Sequence, residues 1–189
     1  MLYDDSMRVE SALIKYYELN NLPLDGGIND KWAKYKFGPF FLTAFPNFEL
    51  RNEAIRRHDV HHILINLDTS TKGEGLIAAW ELGSGCDKYW ISWVMEAQAL
   101  WWGVLLAPAK TFGLFLQGRH SRNYFKENFS SEVLNKTVGQ IRRELLPHSI
   151  PKFRMDDGLC FIFFAAFGIF VMPFFFLILG IFSIVGLFF

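Results

Sequence analysis

The chemistry of this chain concentrates in Arg57-His58-Asp59-Val60-His61-His62, where two imidazoles stand one helical turn apart and a carboxylate follows the first. With residues 48 to 67 helical, a step of about 100° per residue sets His58 and His62 roughly 40° apart, and Asp59 completes an arc of about 100°. Three side chains able to ligate a metal then share one face. Glu74 would lie about 24 Å further along a straight helix, so it joins them only if the chain doubles back. Asp68-Thr69-Ser70-Thr71 supplies turn and cap residues, and Thr71-Lys72-Gly73-Glu74 has capping-box spacing. Glu74 is therefore expected in the first turn of a second helix, packed antiparallel to the first and offering a fourth ligand.

Two imidazoles and two carboxylates suit zinc, iron(II) or manganese better than copper(I) or calcium. Zinc is the expected ion, with iron or manganese as alternatives. The plain reading is that His58 and His62 are polar residues of an exposed helix and that Asp59 pairs with Arg56 or Arg57. All four ligand types together, with a turn where closure demands one, favour the metal. His61 points about 60° from His58 on the side away from Asp59, which makes it a supporting or surface residue.

The spacing H-D-x-x-H-x11-E, as His58, Asp59, His62 and Glu74, resembles the metal motif of the coenzyme Q (ubiquinone) biosynthesis protein 4 family. Its flanks agree: Arg56-Arg57 before it, Ile63-Leu64-Ile65 after the second histidine, Asp68-Thr69 in the turn, and Gly73-Glu74 ahead of Ala78-Ala79-Trp80-Glu81-Leu82. Leu22-Pro23 and Gly26-Gly27 are similar more weakly, and the likeness spans roughly residues 10 to 147. The resemblance implies an enzyme acting on a polyprenylated benzoquinone precursor by metal-dependent oxidative decarboxylation at ring carbon 1. His58, Asp59, His62 and Glu74 would be the ligands, and Asp59 or Glu74 would be able to shift to a base. The alternative is a non-catalytic scaffold that binds quinones or isoprenoid lipids and organises other quinone biosynthesis enzymes.

Two further chemistries start from the same residues. His58-x-x-His61-His62 also spells a box of membrane di-iron desaturases, but that class needs several more histidine boxes, and this chain has five histidines with His120 and His148 standing alone. The His-Asp pair is similar to HD phosphohydrolases, which need a histidine upstream, and none precedes His58. Ser84 and Ser92 have no histidine and acid around them, and Gly83-x-Gly85 lacks the third glycine of a nucleotide fingerprint. Arg119, Arg122 and Lys126 are candidates for lipid head groups or a ring carboxylate, with an ordinary polar surface as the simpler reading.

The elements that must position these residues read as helical. Residues 5 to 20 carry Val9, Ala12, Leu13, Tyr16 and Tyr17 at helical spacing, with Asp5 or Ser6 as cap. Leu22 to Asn29 is a loop, Trp32 to Phe37 a short helix broken by Gly38-Pro39, and Asn47 the expected cap of the metal helix. The second metal helix should run from about Lys72 to Leu82. Asp87 to Ala107 is rich in Trp and Leu but holds Glu96 near its middle, which speaks against a plain membrane span. That run is core, or a tunnel or membrane-facing surface for an isoprenoid tail. A helix from Ser130 or Ser131 through Leu146 completes a compact all-α domain over residues 1–150.

A linker of residues 151–158 leads to residues 159–189, which carry no charge and are expected to form a membrane anchor, either a single kinked span or a shallow hairpin. Two complete spans would need about forty residues. Lys152 and Arg154 precede the run, so the positive-inside rule places the domain on the cytoplasmic face, in a bacterial inner membrane. Nothing at the N-terminus resembles a signal or transit peptide. With 19 basic and 19 acidic residues there is no electrostatic case for nucleic acid, and Cys86 and Cys160 make no disulfide framework.

Overall fold

Val9, Ala12, Leu13, Tyr16 and Tyr17 are the buried residues of α1 (Val9–Leu19), as their spacing requires. The computed structural model describes residues 2–37, 40–149 and 152–186. Side chains are described throughout except at 33–37, 40–46, 172, 174–176, 178, 179 and 181–186. The further helices are α2 (Glu49–Ile65), α3 (Thr71–Ser84), α4 (Trp90–Leu106), α5 (Pro108–Arg119), α6 (Ser131–Asn135), α7 (Val138–Leu145) and α8 (Met155–Gly186). The expected helical class holds, and these helices carry the core.

One segment departs from it. Trp32 to Phe37 is not a short helix but strand β1 (Trp32–Phe37), paired antiparallel with β2 (Phe40–Pro46) from Trp32 opposite Pro46 to Phe37 opposite Phe40. The residues alternate apolar and basic through Ala33-Lys34-Tyr35-Lys36-Phe37, a period of two that suits a strand. The expected break at Gly38-Pro39 lies outside the described residues.

Two of the three hydrophobic clusters among the described residues join the helices that position the site. In the larger, Tyr16 of α1, Val60 and Ile63 of α2, Ile77 and Trp80 of α3 and Ile141 of α7 pack together. The smaller joins Ala79 and Leu82 of α3, Leu100 of α4, Phe115 of α5 and Phe164 of α8. Helix α3 lies unusually close to α4. A Cβ added at Gly103 would come within 2.6 Å of the Gly75 carbonyl oxygen and 2.7 Å of Thr111 Oγ1. Side chains on α3 and α4 that face the same space are thereby drawn together.

Caps differ from expectation in ways that bear on the site. Ser70, not Thr71, caps α3 by accepting from the Gly73 N–H at 3.1 Å. With Gly73 at the third position no capping box forms, which leaves the Glu74 carboxyl available. Asn47 does not cap α2; its side-chain amide donates to the carbonyls of Gly27 at 3.1 Å and Asp30 at 2.9 Å, tying down the glycine loop. Helix α2 ends at Asn66, in the left-handed region at φ 59°. Arg142 of α7 donates to the terminal carbonyls of Ile63 at 2.9 Å and Leu64 at 3.0 Å. The helix expected from Ser130 to Leu146 is two, because Thr137 starts α7 with a capping box to Gln140.

Helix α8 runs continuously through Pro173. Its start is built into the domain: the Asp157 carboxylate accepts from Arg119 Nε at 3.1 Å, Phe161 and Phe164 meet Phe115, and the Trp101 indole donates to the Ala165 carbonyl at 2.9 Å. Strand β2 also lies against α8. Among the described residues, with α8's side chains described without a break only from Met155 to Val171, no helix is long and apolar enough to cross a membrane.

The contact between α3 and α4 is the packing feature most sensitive to one added methyl. Gly103→Ala should destabilise the fold by about 1–3 kcal/mol, since overpacking against the Gly75 carbonyl outweighs the helix propensity gained. The midpoint of urea unfolding measures it, and an unchanged midpoint would contradict the close approach.

Candidate metal centre

Helix α2 presents His58 and His62 one turn apart, and the turn at residues 66–70 brings the first turn of α3 back beside them. His58 Nε2 lies 3.1 Å from His62 Nε2, and the Glu74 oxygens lie 3.5 Å from each of these nitrogens. Zinc bonds of roughly 2.0–2.1 Å in a tetrahedron hold neighbouring ligand atoms about 3.3 Å apart, so these separations suit a shared cation. His62 is fully buried, whereas Glu74 is partly exposed and marks the accessible edge.

Asp59, the remaining expected ligand, is not brought into this group. Its carboxylate is buried and accepts from the Tyr17 hydroxyl at 3.1 Å. The step of about 100° between neighbours turns it toward α1, whose tyrosines offer donors where the histidines do not. Gly26, at φ 70°, passes over the pair, and a Cβ there would meet the Tyr17 hydroxyl at 2.9 Å. Burial pushes the Asp59 carboxyl up to about 6, against the lowering effect of His58, His62 and the tyrosines.

Two carboxylates not singled out as ligands complete the centre. Glu81 stands two turns after Glu74 on the same face of α3 and is fully buried. It meets His58 Nδ1 at 3.0 and 3.1 Å and His61 Nδ1 at 2.6 Å. His61 Nε2 accepts the Tyr124 backbone N–H at 3.0 Å, so its proton sits on Nδ1 and points at Glu81. His58 likewise donates from Nδ1, which directs Nε2 toward His62 and Glu74. A carboxylate behind a histidine in this way fixes the tautomer and strengthens the histidine as a ligand. Glu96 of α4, buried, lies with one oxygen 3.8 Å from His58 Nδ1. The signal that could have found both acids was a carboxylate inside an apolar helical run, where an unpaired charge is costly.

The electrostatics follow from burial among these partners. Burial alone would depress His58, but the Glu81 charge, the hydrogen bonds to Glu74 and Glu81 and the nearby Glu96 outweigh it and hold the imidazole well above its ordinary value. Burial would raise Glu74 and Glu81, yet the histidines hold both well below the usual carboxylate range. Burial and then the Glu81 charge push Glu96 well above it, so Glu96 is the neutral acid of the pair.

The basic residues considered for a head group or ring carboxylate have other partners. Arg119 pairs with Asp156 and Asp157, Arg122 donates to the Glu144 carbonyl at 2.8 Å, and Lys126 Nζ donates to the Ser84 carbonyl at 2.5 Å. Compared with family models, curated proteins and solved structures, the chain matches none.

Two outcomes are expected. Glu81→Gln should weaken zinc binding about 10- to 100-fold by freeing the His58 ring, read by competition with a chelator; unchanged affinity would exclude the orienting role. Without a cation, the raised His58 carries both ring protons at neutral pH, and binding displaces the one on Nε2. Affinity should therefore rise with pH until His58 is neutral, with proton release measurable by calorimetry in buffers of different ionisation enthalpy.

Proposed function

We propose that this chain is a metal-dependent enzyme of ubiquinone biosynthesis, related to the coenzyme Q biosynthesis protein 4 family, that oxidatively decarboxylates ring carbon 1 of a polyprenylated benzoquinone precursor. The observation that carries the reading is the convergence of His58, His62 and Glu74 from two helices, at separations a single cation can bridge, with Glu81 aligning His58. Zinc is the ion favoured, with iron or manganese compatible with the same nitrogen and oxygen donors.

His58, His62 and Glu74 would hold the metal, which when bound supplies Lewis-acid stabilisation of negative charge on the ring carboxylate and phenolate oxygens. Replacing the carboxyl by a hydroxyl releases carbon dioxide and removes two electrons, so the reaction draws on dioxygen or on water with a separate two-electron oxidant. Asp59 takes the role of proton acceptor better than that of ligand: its carboxyl, near 6, exchanges a proton around neutral pH, and Tyr17 holds its orientation. Glu74, at the accessible edge, is the alternative base. A polyprenyl substrate resides in the bilayer, so membrane association through α8 on the cytoplasmic side fits the same reading, and other quinone biosynthesis enzymes are the expected partners.

The burial of His62, Glu81 and Glu96 favours a second reading, a lipid-binding scaffold in which the metal serves structure. Glu74→Gln separates the two. An enzyme retains its fold and loses turnover of the carboxylated precursor by at least about 100-fold, since a positioned catalytic group contributes about that much. A scaffold loses function only in step with metal content and stability. Normal handling of the precursor by a strain lacking the protein, together with no turnover by the purified zinc-loaded chain, would overturn the enzymatic reading.

A further inference from the structure

Among the described residues, every exposed position along α8 beyond its first turn is apolar. Leu159, Ile162, Phe163, Ile169, Phe170 and Leu177 are each more than half exposed. Ala166, Pro173 and Gly180 are exposed between them. At about 100° per residue these positions fall on one side of the helix, and Asp157, Phe161, Phe164 and Gly168 fall on the other. That second side is occupied: Phe164 stacks on Trp93, and a Cβ on Gly168 would lie 2.1 Å from the Ala97 carbonyl oxygen. Among the described residues, the protein therefore covers one face of this apolar helix and leaves the opposite face without cover.

We propose that this outward face of α8 lies in one leaflet of a bilayer, roughly parallel to its surface, and seats the helical domain directly on the membrane. The proposal rests on the membrane association included in the function proposed above, and it specifies the surface and the topology.

Three observations select lipid as the occupant. From Leu159 to Gly180 the outward positions extend about 31 Å without one polar side chain, whereas protein interfaces carry about one hydrogen bond per 100–200 Å². The uncharged run continues to the last residue, Phe189. Exposed charges are confined to the start of the helix and the residues just before it, in Lys152, Arg154 and Asp156, where they can reach the head groups beside a helix lying at the interface. The orientation follows from what packs behind. A crossing α8 would take α4 with it, because Trp93, Ala97 and Trp101 are bound along its inner face, and with α4 the buried Glu96 and the acids of α3. A helix lying in the interface usually has a polar side facing water; here the domain takes that place.

The test uses the full chain with a tag after Phe189, added to preformed vesicles of phosphatidylcholine and phosphatidylglycerol. Wild-type protein should float with the vesicles, and external protease should remove the tag as readily as it cuts the domain. Phe163→Glu with Phe170→Glu should weaken partitioning at least ten-fold while metal content and helical circular dichroism remain unchanged. A tag protected inside the vesicle overturns the proposal in favour of a crossing helix. Unchanged partitioning of the double variant overturns it, as does a wild-type chain that stays off vesicles and self-associates through this face in sedimentation. The protease readout uses the wild-type chain and decides the topology even if the variant misfolds. Neither readout depends on metal or turnover, so a failed decarboxylation assay leaves this result standing and the converse also holds.

Discussion

A buried carboxylate with no donors would be among the costliest features a small helical domain could carry, and the centre of this one is arranged around satisfying Glu81. Two imidazole N–H groups from α2 converge on it, one from His58 and one from His61. The second is itself held by the backbone of Tyr124. The pairing joins α2, α3 and the segment after α5, and it gives His58 one defined tautomer. Removing a partner from such a network leaves a buried charge exposed to a low-dielectric surround, so the arrangement enforces itself.

That constraint explains how the acids of the site divide. Glu74 and Glu81 face histidines and remain ionised; Glu96 faces Glu81, and two like charges at that depth cannot both persist, so it is neutral. Asp59 sits between the regimes, buried against tyrosine hydroxyls with imidazoles nearby. Four carboxyl groups within one small volume thus acquire distinct roles from their neighbours alone. Adjacent groups pushed to different protonation states are the usual setting for acid and base chemistry.

The same logic of unsatisfied surface applies at the other end of the chain. Hydrophobic burial is proportional to the area removed from water, and among the described residues α8 has apolar area on both faces while the domain covers one. The close packing of Gly168 on Ala97 and of Phe164 on Trp93 shows that the covered half belongs to the fold as fully as any core helix. Tail and domain are one packed unit over these turns, and the linker and anchor assigned from composition meet within that unit.

Local chemistry in the sequence determined the helix pair that carries the candidate metal ligands. Side chains one turn apart share a face whatever surrounds them, and Asp68 to Ser70 could end one helix and start the next, so the meeting of His58 and His62 with Glu74 was legible. The uncharged character of the tail and the helical core were legible for the same reason. Tertiary structure decided what depends on neighbours distant in sequence. It turned Asp59 toward Tyr17, because α1 supplied a donor that no spacing rule reveals. It recruited Glu81, Glu96 and His61, whose partners lie on other helices, and it paired Trp32 to Phe37 with β2, a partner that a helical reading of Trp32 to Phe37 alone could not supply. Periodicity reports which face a residue occupies; only packing reports what waits on the other side of it.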